Sequence, residues 1–152
     1  MNETDMAATH AAAFVQSRPW TEAEFSDLLA QKFCHAVGSA QCFALIRVIA
    51  DEAELLTIAT HPAMQRRGLA RACMTQWLNL AADLGATRAF LDVAADNAPA
   101  LALYASCGFE PCGLRPGYYP RADGGPVGAI LMARDLTQEP LHDSNARDPK
   151  SS

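Results

Sequence analysis

The sequence predicts a single α/β domain, α+β in its arrangement, with the element order ααβββαβαββ. Three observations carry that expectation. The chain has 152 residues, half of them hydrophobic, which is enough for one real core and too few for two. Its apolar period changes from helical to strand-like near Lys32 and back to helical after Pro62. The changes fall at punctuation: a T-x-x-E pattern at Thr21 to Glu24, Gly38-Ser39, Asp51-Glu52, Pro62 and Gly85.

An alanine-rich run from about Asp5 to Gln16, carrying Met6, Phe14 and Val15, suits a first helix. Arg18-Pro19 ends it, because the residue before a proline disfavours helical backbone. Thr21 and Glu24 form a capping box, with Trp20 and Phe25 placed as a hydrophobic staple, so a second helix runs from about Glu22 to Ala30. "KFCHAV", "QCFALIRVIA" and "AELLTIAT" read as three strands of an antiparallel meander. Leu69, Cys73, Trp77, Leu80 and Leu84 then recur at helical spacing, and Gly85 stands where a glycine ends a helix. "TRAFLDVA" is a strand, Pro99 opens the short helix "ALALYASC" before Gly108, and "FEPCGL" and "VGAILMARDL" are late strands. From Thr137 the polar, aperiodic tail is expected to be disordered, leaving 1–136 as the domain and 137–152 outside it.

Composition excludes several classes. With 12 Lys and Arg against 17 Asp and Glu, a net charge of -5, the broad cationic surface that nucleic acid or an anionic membrane needs is missing. Any bound anion must be held by a local cluster. The five cysteines (Cys34, Cys42, Cys73, Cys107, Cys112) form no C-x-x-C pair and sit in apolar segments, reading as reduced, buried thiols of a cytoplasmic protein. The four histidines (His10, His35, His61, His142) lack ligand spacing, so no metal is expected. The N-terminus carries Glu3 and Asp5 and has no secretory pattern, and no apolar run reaches membrane-spanning length.

The local cluster is found in "HPAMQRRGLARACMTQW". A strand, a tight turn and a helix N-terminus make an anion site, because unpaired N–H groups and the helix dipole point out of the first turn. Gly68 and Ala70 let a phosphate approach the backbone, and Arg66, Arg67 and Arg71 supply charge. A Walker loop would need G-K-[ST], and a Rossmann turn three glycines; neither is present.

The run Gln65-Arg66-Arg67-Gly68-Leu69-Ala70 matches Q-x-x-G-x-A and resembles the pyrophosphate loop of the GNAT superfamily of acetyl-CoA-dependent N-acetyltransferases. "DNAPALALYASCGFE" resembles a second signature of that family, through Asn97, Ala100, Tyr104, Gly108 and Phe109. The resemblance covers the chain to about Leu136 and implies a GNAT-like fold, a mixed and largely antiparallel central sheet flanked by helices. It implies acetyl-CoA held by Arg66, Arg67, Gly68, Leu69, Ala70 and Arg71, with backbone groups of Ile58, Ala59 and Thr60 and the side chain of Asn97 toward the pantetheine. Tyr104 matches the family's general acid, and Asp92 stands where the family places a glutamate base. "PWTEAEF", "LDVAADN" and "GYYP" are similar to a subfamily that acetylates protein N-termini, implying a ribosomal protein or peptide beginning with alanine as partner and Pro19, Trp20, Tyr118 and Tyr119 as substrate-binding residues.

Other readings of these residues stay open. Aspartate withdraws the carboxylate by roughly 1 to 1.5 Å relative to glutamate, and Ala94 replaces the family's arginine, so Asp92 is either a base acting through water or a solvated strand-end carboxylate. Tyr104 is otherwise a core tyrosine, Asn97 an ordinary N-cap, Tyr118 and Tyr119 a packed polar loop, and His61 a polar loop residue. Arg18 takes a usually apolar place beside Pro19-Trp20. A small-amine acetyltransferase and a catalytically impaired acetyl-CoA-binding module are the alternative functions.

Overall fold

The computed structural model describes residues 1–14, 18–122 and 124–137. The predicted end of the first helix at Gln16 and nearly all of the predicted tail fall outside those residues. Thr137 is described, and its N–H and hydroxyl both donate to Asp135 Oδ1, at 2.8 and 2.6 Å.

Helix α1 (Glu3–Ala13) begins earlier than the sequence suggested, because the Asn2 side chain accepts the Asp5 N–H and caps it. Helix α2 (Glu22–Leu29) opens on the expected capping box: Thr21 Oγ1 accepts from Glu24 N, and Glu24 Oε1 accepts from Thr21 N. The staple is present, with the Trp20 and Phe25 ring centroids 5.4 Å apart. Three strands follow, β1 (Cys34–Ser39), β2 (Cys42–Ile49) and β3 (Glu52–Thr60), paired antiparallel as a meander.

Helix α3 (Leu69–Asp83) is followed by Gly85 in the left-handed region at φ 99°. Its buried stripe is Cys73, Met74, Trp77, Leu78 and Ala81, rotated from the predicted one; Leu84 is exposed. Strand β4 (Arg88–Ala94), helix α4 (Ala98–Ser106), β5 (Glu110–Tyr119) and β6 (Val127–Asp135) complete the order ααβββαβαββ.

The six strands form one sheet, β1-β2-β3-β4-β6-β5. Every neighbouring pair is antiparallel except β3 and β4. On one face α3 and α4 bury a cluster around Trp77, Met74, Leu91, Phe109 and Tyr104. On the other, α1 and α2 bury Met6 and Phe25 against Phe43, Leu45 and Ala59. Each large apolar side chain so buried stabilises the fold by about 1.5 to 3 kcal/mol.

Strand β3 changes allegiance midway. Leu45 pairs with Thr57 but Ile46 pairs with Leu55, so Leu56 is an extra residue, a β-bulge. A one-residue insertion inverts the side-chain alternation. Ala53 and Leu55 therefore enter the α3 cluster, whereas Ala59 enters the α1–α2 cluster.

Candidate active site

The parallel pairing of β3 with β4 is short: Glu52, Ala53 and Glu54 face Arg88, Ala89 and Phe90. Beyond Glu54 and Phe90 the two strands have no register with each other, while β4 continues against β6 as far as Ala94. The sheet is thus split between Leu55–Thr60 and Leu91–Ala94, leaving strand edges without a strand partner on the inner side of the gap. Ile58, Ala59 and Thr60 lie on that stretch of β3, just past the bulge at Leu56.

At the end of β3, His61 Nδ1 accepts from Ala63 N and caps a single 3-10 turn, Pro62–Met64, a structural role that leaves it outside the site. The chain then turns sharply through two left-handed residues, Arg66 (φ 66°) and Gly68 (φ 76°). Positive φ at arginine is a strained conformation of the kind kept where function over-determines it. Gly68 has no side-chain cap to offer, so the first-turn amides of α3 stay available to an anion. A Cβ built on Gly68 meets no atom within 4 Å, so the space beside it is open. Arg66 and Arg67 are exposed. Arg71 is turned elsewhere: its Nη2 donates to Ser106 Oγ at 2.7 Å, tying α3 to the end of α4.

Three titratable groups come from β4, α4 and β5. Asp92 lies on β4 opposite Leu131 and lines a cavity of about 600 Å³ that runs along the paired end of β3 and β4, with Arg47, Ile49, Glu52, Glu54, Phe90 and Arg115. Tyr104 descends from α4 on the other face and is 7% exposed. Burial, then the neighbouring Tyr119 and Cys107, push its phenol well above the usual value, so it stays protonated. No side-chain N or O among the described residues is buried without a partner. The Tyr104 hydroxyl, which makes no hydrogen bond to a described residue, therefore opens onto accessible space. Tyr119 is half-buried, and its phenol is raised by burial and next by the charge of Asp92. Asn97 caps α4, its Oδ1 accepting Ala100 N at 3.2 Å, which leaves the amide NH₂ as its remaining donor.

Tyr118 and Tyr119 are not in a loop. They end β5, whose ladder continues past Pro116-Gly117 with Arg115 opposite Ala129 and Tyr119 opposite Val127, broken by an irregularity between. The rings meet edge to face at 5.1 Å. Pro19 and Trp20 precede α2. The Trp20 N–H donates to His10 Nδ1 at 3.1 Å, which fixes the proton on Nε2, facing Thr57 Oγ1 at 3.2 Å. His10 is 1% exposed, stacks on Phe14 at 3.9 Å, and is pushed down to about 4, chiefly by burial. Arg18 is already matched: Nη1 and Nη2 donate to Glu24 Oε1 and Oε2, each at 2.9 Å.

Sequence reasoning missed His10 and the ion pair between Asp96 and Arg121. Helical spacing in α1 singled out Met6 and Phe14 but not a polar residue between them, and nothing local links Asp96 to Arg121. Of the five cysteines, four are buried as expected and Cys112, on edge strand β5, is exposed. Among the described residues no group of His, Cys, Asp or Glu could hold a metal ion, and no helix is long and apolar enough to cross a membrane.

A split parallel pair and an open-ended helix beneath a basic turn make a groove that ends at an anion site. Residues 9–109 match the Acetyltransferase (GNAT) family. The chain belongs to that family and is an acetyl-CoA-dependent N-acetyltransferase. It is 36% identical over 142 residues to the [Ribosomal protein bS18]-alanine N-acetyltransferase of Escherichia coli (strain K12), covering 90% of this chain and 95% of that one. It is 37% identical over 138 residues to the N-alpha-acetyltransferase RimI of Mycobacterium tuberculosis, covering 85% of this chain and 84% of that one. The crystal structure of the Escherichia coli ribosomal-protein-S18-alanine N-acetyltransferase superposes with a TM-score of 0.80 at 30% identity, covering 96% of this chain and 93% of that one. Arabidopsis thaliana NAA60, solved in complex with acetyl-CoA, shares the fold with a TM-score of 0.74 at 14% identity, covering 91% of this chain and 97% of that one.

Proposed function

We propose that the protein acetylates the N-terminal α-amine of a protein, one beginning with alanine, and that a ribosomal protein is the acceptor. The observation that supports this reading best is the split between β3 and β4 beside the basic turn that leads into α3; Tyr119 lies near enough to Asp92, and Tyr104 near enough to Tyr119, for charge on the one to raise the phenol of the other. The relatives named for bS18 alanine acetylation share the length and framework of this chain.

In this reading the amides of Leu69, Ala70 and Arg71, with the Arg66 and Arg67 guanidinium groups, hold the pyrophosphate of acetyl-CoA. Arg71 contributes its backbone, since its side chain is committed to Ser106. The free edge from Ile58 to Thr60 bonds the pantetheine amides, and the Asn97 NH₂ meets the same arm. The acceptor amine lies between Pro19-Trp20 and Tyr118-Tyr119. An α-amine has a pKa near 8, so a modest base suffices, and Asp92 takes its proton through a water. The amine nitrogen attacks the thioester carbon to form the amide bond, and as the carbon–sulfur bond breaks the Tyr104 O–H donates its proton to the departing sulfur. A phenol held neutral by burial is a donor at every pH the enzyme meets.

The net charge of -5 favours encounter with basic ribosomal peptides over long range.

Two variants test the assignment. Gly68→Glu places a carboxylate in the open space beside the loop and should abolish acetyl-CoA binding in a folded protein, while Arg66→Ala and Arg67→Ala each weaken it by roughly 1 to 3 kcal/mol. Unchanged affinity by calorimetry in Gly68→Glu would remove the pyrophosphate assignment. Asp92→Asn should lower kcat and erase the acidic limb of the pH profile; a profile of unaltered shape would return Asp92 to the role of a solvated strand-end carboxylate, and catalysis below detection in the wild-type protein would favour a binding module.

A further inference from the structure

The turn between β5 and β6 is fastened to the start of α4 by one side chain. Arg121 Nε donates to Asp96 Oδ2 at 3.0 Å and Nη2 to Oδ1 at 2.9 Å, a two-pronged match of planar groups. Its third edge is used as well, with Nη1 on the Pro120 carbonyl at 2.9 Å. The guanidinium carbon lies 5.9 Å from the centroid of the Tyr119 ring, within reach of a cation–π contact. The Arg121 side chain is 10% exposed and its partner Asp96 39%, against 67% for Arg18 and 42% for Glu24, so the two forks differ in the cover over the guanidinium and not over the carboxylate. A surface ion pair of that second kind is worth little, but one whose guanidinium is covered and held on three sides has geometry to impose.

The place of the pair in the chain gives it a task. Asp96 sits between Asp92 of β4 and Tyr104 of α4, next to the Asn97 cap. Arg121 is two residues beyond Tyr119. The main chain alone does not fix that end of β5: the ladder with β6 is irregular between Arg115 and Tyr119, and Gly117, Gly124 and Gly125 all have positive φ. β5 is also the outermost strand of the sheet.

We infer that Asp96 and Arg121 are positioning residues that hold Tyr119 beside Asp92 and so govern acceptor binding while leaving the acetyl-CoA loop untouched. This rests on the acceptor site proposed above. The pair joins the β5–β6 turn to the start of α4, and among the described residues its contacts are with Pro120 and Tyr119, not with Arg66–Arg71.

The test uses the full chain with three variants: Arg121→Ala, Arg121→Lys, and the exchanged pair Asp96→Arg with Arg121→Asp. The chain has three tyrosines, so tyrosine-labelled protein gives a simple NMR spectrum in which Tyr119→Phe assigns the resonance of interest without any acceptor. Arg121→Ala should move the Tyr119 resonance, raise the KM for an alanine-starting peptide about tenfold, and leave acetyl-CoA affinity within about twofold by calorimetry. Arg121→Lys keeps the charge but loses the fork and should fall between. The exchanged pair should recover most of the wild-type KM, which a loss of general stability would not do. A Tyr119 resonance and a KM both unchanged in Arg121→Ala overturn the inference, as does an equal loss of acetyl-CoA affinity. Wild-type protein that acetylates polyamines and no peptide refutes the acceptor reading instead, and the KM comparison is then made with the polyamine.

Discussion

The two segments assigned to the acceptor, Arg18–Thr21 and Tyr118–Arg121, each carry an arginine–carboxylate fork, yet they are held by opposite means. Before α2 the fork of Arg18 with Glu24 is exposed, and the anchoring is done underneath it. There Trp20 is tied by its backbone to a neutral His10 that stacks with Phe14 and Trp20 and meets Phe25 edge-on. After β5 the described residues form no buried cluster of that kind: Tyr118 is exposed, and the fork of Arg121 with Asp96, covered at the guanidinium and open at the carboxylate, stands in its place. The cover over the guanidinium, not the identity of the charged pair, is what distinguishes the two forks.

That contrast can be broken most severely at His10. His10→Ala removes a stacked ring and leaves the Trp20 N–H without its acceptor, and should cost about 3 kcal/mol or more in denaturant unfolding. His10→Phe keeps the ring and loses both hydrogen bonds, with a smaller loss of about 1 to 3 kcal/mol.

A pH titration of stability sharpens the same point. His10 titrates at about 4 in the folded protein against 6.5 ordinarily, so between those values the unfolded chain binds more protons. Stability from this group is complete above 6.5 and is lost as pH falls toward 4, by on the order of 3 kcal/mol. The Glu24 carboxyl, held down to about 2 by Arg18 and the Thr21 N–H, adds a separate loss below its ordinary 4.5. Urea midpoints in His10→Phe should be flat across the first window and still fall in the second.

The smallest effect is expected at Arg18. Arg18→Ala should leave the melting temperature within measurement error, whereas Arg121→Ala should shift it downward measurably. Equal shifts in the two would contradict the distinction between exposed and shielded forks.

Much of this arrangement was legible from local chemistry. The capping box at Thr21, the stop at Gly85 and the turn at Gly68 are each fixed by a few adjacent residues, and the structure repeats them. The place of the bulge at Leu56 was not legible in the hydrophobic pattern, because apolar clusters pack against both faces of β3. The strand keeps a regular buried alternation from Ala53 to Ala59 while the cluster receiving it changes, and hydrophobic patterning cannot register that. The length of β5 was misjudged because Pro116-Gly117 reads as a break; an edge strand tolerates a missing N–H on its outer side. His10 with Trp20, and Asp96 with Arg121, are 10 and 25 residues apart and are joined only by the fold.

The central claim is acetyl transfer to a protein α-amine with Tyr104 as the donor to the leaving sulfur. Its most direct measurement is tandem mass spectrometry of an alanine-starting peptide after reaction with acetyl-CoA, run in parallel on wild-type protein and Tyr104→Phe with initial rates. Acetate should be found on the α-amine, and turnover in Tyr104→Phe should fall about a hundredfold or more while acetyl-CoA affinity is nearly intact. Acetate only on lysine side chains or on free polyamines, or a kcat within about threefold of wild type in Tyr104→Phe, would contradict the account.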